Sequence, residues 1–141
     1  MYRKILLAFD GTPSGQAALN ASAELARLCG ARLCLLGIIA TSGFNALAEG
    51  FGIDLWGMER RSLEATLKDA VAALAAQGID AGFTIAEGDP AGEIHAQARR
   101  SGYDLLVLGH TGRGMIARWF EGSVSRSMLT RPPCSVLIVP G

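Results

Sequence analysis

Hydrophobic positions along this chain fall into short unbroken runs, separated by longer stretches with helical spacing. Ile5-Leu6-Leu7-Ala8-Phe9 is an apolar run of strand length. In the following Asp10-Gly11-Thr12-Pro13, Thr12 is placed to cap a helix and Pro13 falls in the first turn, where a missing N–H costs nothing. From about Ser14 to Cys29, Ala18, Ala21, Leu25 and Leu28 share one face, and Gly30 ends the helix. Leu33 to Ala40 reads as a second buried strand. Helical spacing returns with Leu63, Leu67, Ala70, Val71 and Leu74 and stops at Gly78. Ile79 to Ala86 alternates, which predicts a strand with one face more open. After Gly88-Asp89-Pro90, a short helix carries Ile94 and Ala98 and ends at Gly102. Leu105 to Leu108 and Ser135 to Val139 complete the strands. Between them a helix starts at Gly122-Ser123, runs to about Thr130 and is stopped by Pro132 and Pro133. The irregular stretch Thr41 to Met58 predicts a long loop acting as a lid or a partner surface.

Five strands alternating with four helices, with strands apolar on both faces, predict a parallel sheet covered on two sides. Right-handed crossovers make it a three-layer, doubly wound α/β domain. Ligands of such sheets sit beyond the carboxyl ends of the strands, so the loops after Phe9, Ile39, Ala86 and Leu108 are the places to look. The length, 141 residues, suits one domain spanning 1–141. Half the residues are hydrophobic and 13 basic residues balance 13 acidic ones, which excludes disorder and argues against a nucleic-acid partner. No apolar run approaches the ~20 residues of a membrane span. The N-terminal Met1-Tyr2-Arg3-Lys4 and the run after it resemble a signal peptide, but Asp10 ends the run and no small-residue cleavage site follows. Cys29, Cys34 and Cys134 form no C-x-x-C, so they read as buried free thiols in a reducing compartment. The expected location is the cytoplasm.

The candidate chemistry follows the fourth strand: Gly109-His110-Thr111-Gly112-Arg113-Gly114, then Glu121-Gly122-Ser123-Val124-Ser125-Arg126. A glycine-rich turn lets backbone N–H groups approach phosphate oxygens. The helix opening at Gly122-Ser123 offers unsatisfied N–H groups and a favourable dipole. Ser123 and Ser125 add hydroxyl donors, and Arg113, Arg118, Arg126 and Arg131 outweigh Glu121. The pattern is neither a Walker A loop nor a Rossmann fingerprint near the first strand. On pattern alone, phosphate binding and simple tightening of the strand–helix connection both stay open.

Gly109-x2-Gly112-x9-Gly122-Ser123 resembles the nucleotide-binding motif of the universal stress protein family, in its ATP-binding subgroup. The resemblance covers essentially the whole chain: Ile5 to Gly11 looks like that family's first strand and acidic turn, Gly88 to Ile94 like its third-strand exit, and Pro133 to Val139 like its closing strand. It implies a five-stranded, mainly parallel sheet of order 3-2-1-4-5, as in adenine nucleotide α-hydrolase-like folds. The implied ligand is ATP, or ADP or AMP, with Mg²⁺ as a candidate companion. By the same resemblance, Asp10 sits near the ribose or a divalent cation, and Ile38 flanks the adenine. Ala8 and Leu108 belong to the nucleotide site, Gly109 and Gly112 approach the ribose and phosphates, and Gly122, Ser123, Val124 and Ser125 hold the phosphate tail. Gly37 departs from the pattern, since the family often has a histidine there; it reads as an adjustment of packing. The resemblance also implies a homodimer through the edge strand Ser135 to Val139, which is apolar and uncharged.

The leading expectation is therefore a nucleotide-binding stress-response or regulatory sensor. No water-positioning carboxylate or glutamine and no phosphate-loop lysine is evident, so no catalytic residue is assigned, and any turnover falls far below the ~1–100 s⁻¹ of kinases. Two alternatives stand beside it: a slow Mg²⁺-dependent ATPase using Asp10, and a protein-interaction module that does not use nucleotide. Asp10 otherwise reads as a turn former. His110 reads as an exposed loop residue and His95 as a surface or half-buried one; far apart and without clustered carboxylates or thiolates, they make no metal site. Phe51 and Trp56 either cover a ligand, meet another subunit or anchor the long loop. Trp119 and Phe120 read as helix packing, Asp104 as a strand-initial residue without chemistry, and Cys134 as core filler.

Overall fold

The structure, a computed structural model, describes residues 1–40, 52, 55–110 and 129–140. In chain order its elements are β1 (Lys4–Ala8), α1 (Pro13–Cys29), β2 (Arg32–Ala40), α2 (Leu55–Ala76), β3 (Ala81–Gly88), α3 (Pro90–Arg100), β4 (Leu105–His110) and β5 (Ser135–Pro140). The strands form one sheet of order β3-β2-β1-β4-β5, and every neighbouring pair is parallel. This is the doubly wound order, with the reversal between β1 and β4. Of the fourth expected helix, only Leu129 and Thr130 are described, and both are helical.

Alternate residues of each strand enter two different cores. Ile5, Leu7, Phe9, Leu33 and Leu35 face Ala18, Leu19, Ala23 and Ala26 of α1 and Leu67 and Leu74 of α2. Leu6, Ala8, Leu36, Ile38, Leu106 and Leu108 face Ala91, Ile94 and Ala98 of α3. A strand buried on both sides has no place for polar residues, which is why these runs are unbroken.

Local chemistry fixes where the helices begin and end. Thr12 caps α1 by accepting from the Gly15 N–H, Pro13 opens the helix, and Gly30 closes it in the left-handed region at φ 63°. Asp89 caps α3 through Gly92 N at 2.9 Å, with Pro90 behind it. Arg99 and Arg100 occupy the last turn, where cations suit the helix dipole.

Several expectations are corrected. Leu28, placed by spacing on the buried face of α1, is 77% exposed; the true contact face runs through Ala18, Leu19, Ser22, Ala23 and Ala26. These small side chains let α1 lie close to the sheet, so the buried stripe is marked by alanines rather than leucines. The irregular stretch expected to reach Met58 gives way to helix at Leu55, which takes in Trp56. Gly57 hides that first turn from pattern reading, because glycine lowers helix propensity by ~1 kcal/mol, yet propagation from the long helix beyond it carries the turn. The remainder of that stretch, with Phe51, lies outside the described residues. β3 begins at Ala81 rather than Ile79, and residues 81–85 are half-buried because β3 is an edge strand. The three cysteines are free but only half-buried.

Asp104 has a structural task that the sequence did not suggest. Its carboxylate accepts from Arg3 N at 2.8 Å and Lys4 N at 3.1 Å, while its own N–H donates to Lys4 O at 3.0 Å. The amino ends of β1 and β4 are thereby tied together.

Candidate functional site

β1 delivers Asp10 to the carboxyl end of the sheet. Phe9 N donates to Leu36 O at 3.0 Å, so the chain stays registered with β2 up to the turn. Asp10 Oδ1 then accepts from Thr12 N at 3.0 Å and from the Thr12 hydroxyl at 2.6 Å. The expected turn-forming role is thus real, but it occupies only one carboxylate oxygen. Oδ2 takes no hydrogen bond among the described residues. Thr12 Oγ1 in turn accepts from Gly15 N at 3.4 Å, which couples the turn to the start of α1.

Two glycines press α2 against this turn. Gly11, at φ 81°, carries no Cβ; one placed there would stand 2.7 Å from Thr66 Cγ2. A Cβ on Gly37 would stand 2.8 Å from Leu67 Cδ1 and 2.9 Å from Leu63 Cδ2. Gly37 therefore lets α2 settle directly on β2, and a histidine side chain at this position has no room unless the helix lifts.

Between the turn and the helix lies a cleft of about 220 Å³, lined by Asp10, Ile38, Glu59, Ser62, Leu63 and Thr66. Two of the residues expected at the site, Asp10 and Ile38, thus share one wall. Ala8 and Leu108 are fully buried in the α3-side core and contribute no accessible side chain. Gly109 pairs with Val139 at the carboxyl end of β4. Since β4 is the other neighbour of β1, Gly109 and Asp10 lie at the same end of the sheet. Gly112, Gly122, Ser123, Val124 and Ser125 lie outside the described residues, as do Trp119 and Phe120. His95 is half-buried, its Nε2 3.2 Å from Arg131 O, and is far from this cleft in the sequence of elements.

Glu59, Ser62 and Thr66 are cleft residues that pattern reading missed. Their i, i+3 and i+7 spacing puts them on one polar face of α2, but that signature is shared by every solvated helix face. Among the described residues the cleft is lined by two carboxylates and two hydroxyls and by no cation. Its chemistry suits hydroxyl donors or a cation and repels phosphate, so phosphates would have to lie on the β4 side. Among the described residues no three His, Cys, Asp or Glu side chains cluster as a metal cage. Asp10 Oδ2 does fit a Mg²⁺ that takes one or two protein carboxylates and completes its shell with phosphate and water.

Comparison with known proteins identifies the lineage. The model of the Universal stress protein family matches residues 1–140. The chain belongs to that family. Universal stress protein YxiE of Bacillus subtilis (strain 168) is 30% identical over 147 aligned positions, covering 99% of each chain. Two solved structures share the fold. A universal stress protein in complex with cAMP is 24% identical, with a TM-score of 0.69, over 99% of this chain and 97% of that one. The universal stress protein from Archaeoglobus fulgidus in complex with dAMP is 16% identical, with a TM-score of 0.69, over 99% and 98%. Adenine nucleotides are therefore bound by universal stress proteins of this architecture. Among the described residues, no helix is long and apolar enough to cross a membrane.

Proposed function

We propose that this universal stress protein binds an adenine nucleotide, ATP above all, at the carboxyl ends of β1, β2 and β4, and acts in a stress response as a nucleotide-dependent regulator. The observation that carries the reading is the cleft in which Asp10, with a carboxylate oxygen to spare, adjoins Ile38. Relatives that bind cAMP and dAMP support adenosine as the recognised part. Asp10 Oδ2 accepts a ribose hydroxyl or reaches Mg²⁺, and Ile38 gives the base an apolar wall. The phosphates run away from the two carboxylates towards Gly109, Gly112, Gly122, Ser123, Val124 and Ser125, where backbone N–H groups and hydroxyls are the donors. The local excess of Arg113, Arg118, Arg126 and Arg131 over Glu121 suits a polyphosphate.

In this reading residues 1–141 work as one domain in the cytoplasm, in keeping with three free cysteines. Two copies pair along β5, whose Ile138 is 47% exposed. Nucleotide acts as a conformational or assembly signal. A second reading, slow Mg²⁺-dependent hydrolysis, is favoured by Asp10 Oδ2, which takes no hydrogen bond among the described residues; there Asp10→Ala abolishes turnover and leaves binding measurable.

The test is to denature freshly purified protein and identify released nucleotide by anion exchange and mass spectrometry, and to titrate MgATP into wild type and Gly122→Glu by calorimetry. Release of ATP or ADP, or binding lost only in the variant, upholds the reading. If wild type binds no adenine nucleotide, the glycine loop is structural and the protein is an interaction module.

A further inference from the structure

At the opposite end of the sheet, where the strands begin, a second cleft of about 280 Å³ opens on the α3 face. Lys4, Arg32, Cys34, Gly82, Ser101 and Tyr103 line it. Strand alternation explains the gathering. Lys4 shares its face with Leu6 and Ala8, Arg32 and Cys34 share theirs with Leu36, and Gly82 is the β3 partner of Cys34. Because Gly82 has no side chain, the Arg32 guanidinium lies across it, with Nη2 3.9 Å from where a Cβ would stand.

Lys4 is held by its neighbours, and neither cation is ion-paired among the described residues. Lys4 Nζ donates to the Ser101 carbonyl at the end of α3 and stands 4.6 Å above the Tyr103 ring. An ammonium has three donors, so this leaves hydrogen-bonding capacity. Among the described residues the ion pairs are Arg60–Glu87 and Lys68–Glu64, and neither Lys4 nor Arg32 takes part in one. Among the described residues no carboxylate lines the cleft. Asp104 is close in sequence, but its two oxygens are engaged by the backbone N–H groups of Arg3 and Lys4. Burial holds the Tyr103 phenol above its usual range, helped by the neighbouring Cys34 and opposed by the charge of Arg32, so it remains a neutral O–H group.

We infer that this cleft binds a small phosphate-bearing anion, held by Arg32 and Lys4 with the Tyr103 hydroxyl as a third group. A guanidinium matches two phosphate oxygens with two parallel hydrogen bonds, and a fixed ammonium supplies the second charge. The volume, about 280 Å³, has room for a phosphate or a short phosphomonoester beside the two cations. The site is independent of the nucleotide reading, since it shares no residue with the Asp10 cleft and lies at the other end of the strands.

The test is a titration of ¹⁵N-labelled protein with inorganic phosphate at constant ionic strength, followed by NMR. The expected result is saturable shifts of the Gly82 amide and the Arg32 side-chain N–H. Arg32→Gln, at an exposed position, should weaken binding at least about tenfold, the scale of one lost charge-assisted hydrogen bond. Lys4→Gln should weaken it comparably, and Lys68→Gln should leave it unchanged. Absence of saturable shifts at Gly82, shifts confined to the Asp10 and Gly109 end, or undiminished binding by Arg32→Gln overturns the inference. Arg32 alone decides it if Lys4→Gln fails to fold.

Discussion

At Gly37, Leu67 Cδ1 and Leu63 Cδ2 lie 2.8 and 2.9 Å from where a first side-chain carbon would stand. Gly37→Ala should therefore lower stability by about 1–3 kcal/mol, the range for overpacking a dense core, and Gly37→His by more; urea unfolding reads both. Tyr103 gives a prediction of a different kind. Burial favours its neutral form in the folded chain, so the folded protein holds the phenolic proton to higher pH than the unfolded chain does. The stabilisation is complete below the ordinary phenol value of about 10 and is lost as pH rises beyond it. Between about pH 10 and about pH 12 wild type should lose stability more steeply than Tyr103→Phe, as chemical denaturation at a series of pH values would reveal. Equal slopes would remove the argument.

Among the elements, the Asp104 clamp joins strands that are far apart in sequence. Asp104→Ala leaves two backbone N–H groups without their acceptor and should destabilise by about 1–3 kcal/mol. Asp104→Asn should recover only part, because an amide offers one accepting oxygen. The strands themselves were legible from sequence, since a segment buried on both faces can contain little but apolar residues. The caps at Thr12 and Asp89 were legible because their side chains act within three residues. The phase of α1 was not, because alanines such as Ala18, Ala23 and Ala26 fit a close helix–sheet contact yet weigh little in a hydrophobic pattern beside Leu28. The start of α2 was hidden by Gly57. At the cleft, Asp10 was marked by its place after the first strand, and Ile38 was implied by the family resemblance. Glu59, Ser62 and Thr66 could not, because only the tertiary position of α2 turns a polar helix face into a cleft wall.

For the whole molecule, the sheet has open edges at β3 and β5. Most residues of β3 are half-buried, and Glu87 near its end is paired with Arg60, whereas β5 offers Ile138 to solvent with no charge along Ser135–Val139. If the proposed dimer forms there, wild type should sediment as a dimer at micromolar concentration and Ile138→Lys should shift towards monomer; a wild-type monomer would dismiss the pairing. The contact of Gly11 with Thr66 bears on motion. A turn that lies so close to α2 that a Cβ on Gly11 would stand 2.7 Å from Thr66 Cγ2 is expected to move together with that helix. On that expectation the spacing between Gly11 and Thr66 should be the same in the empty and the loaded protein.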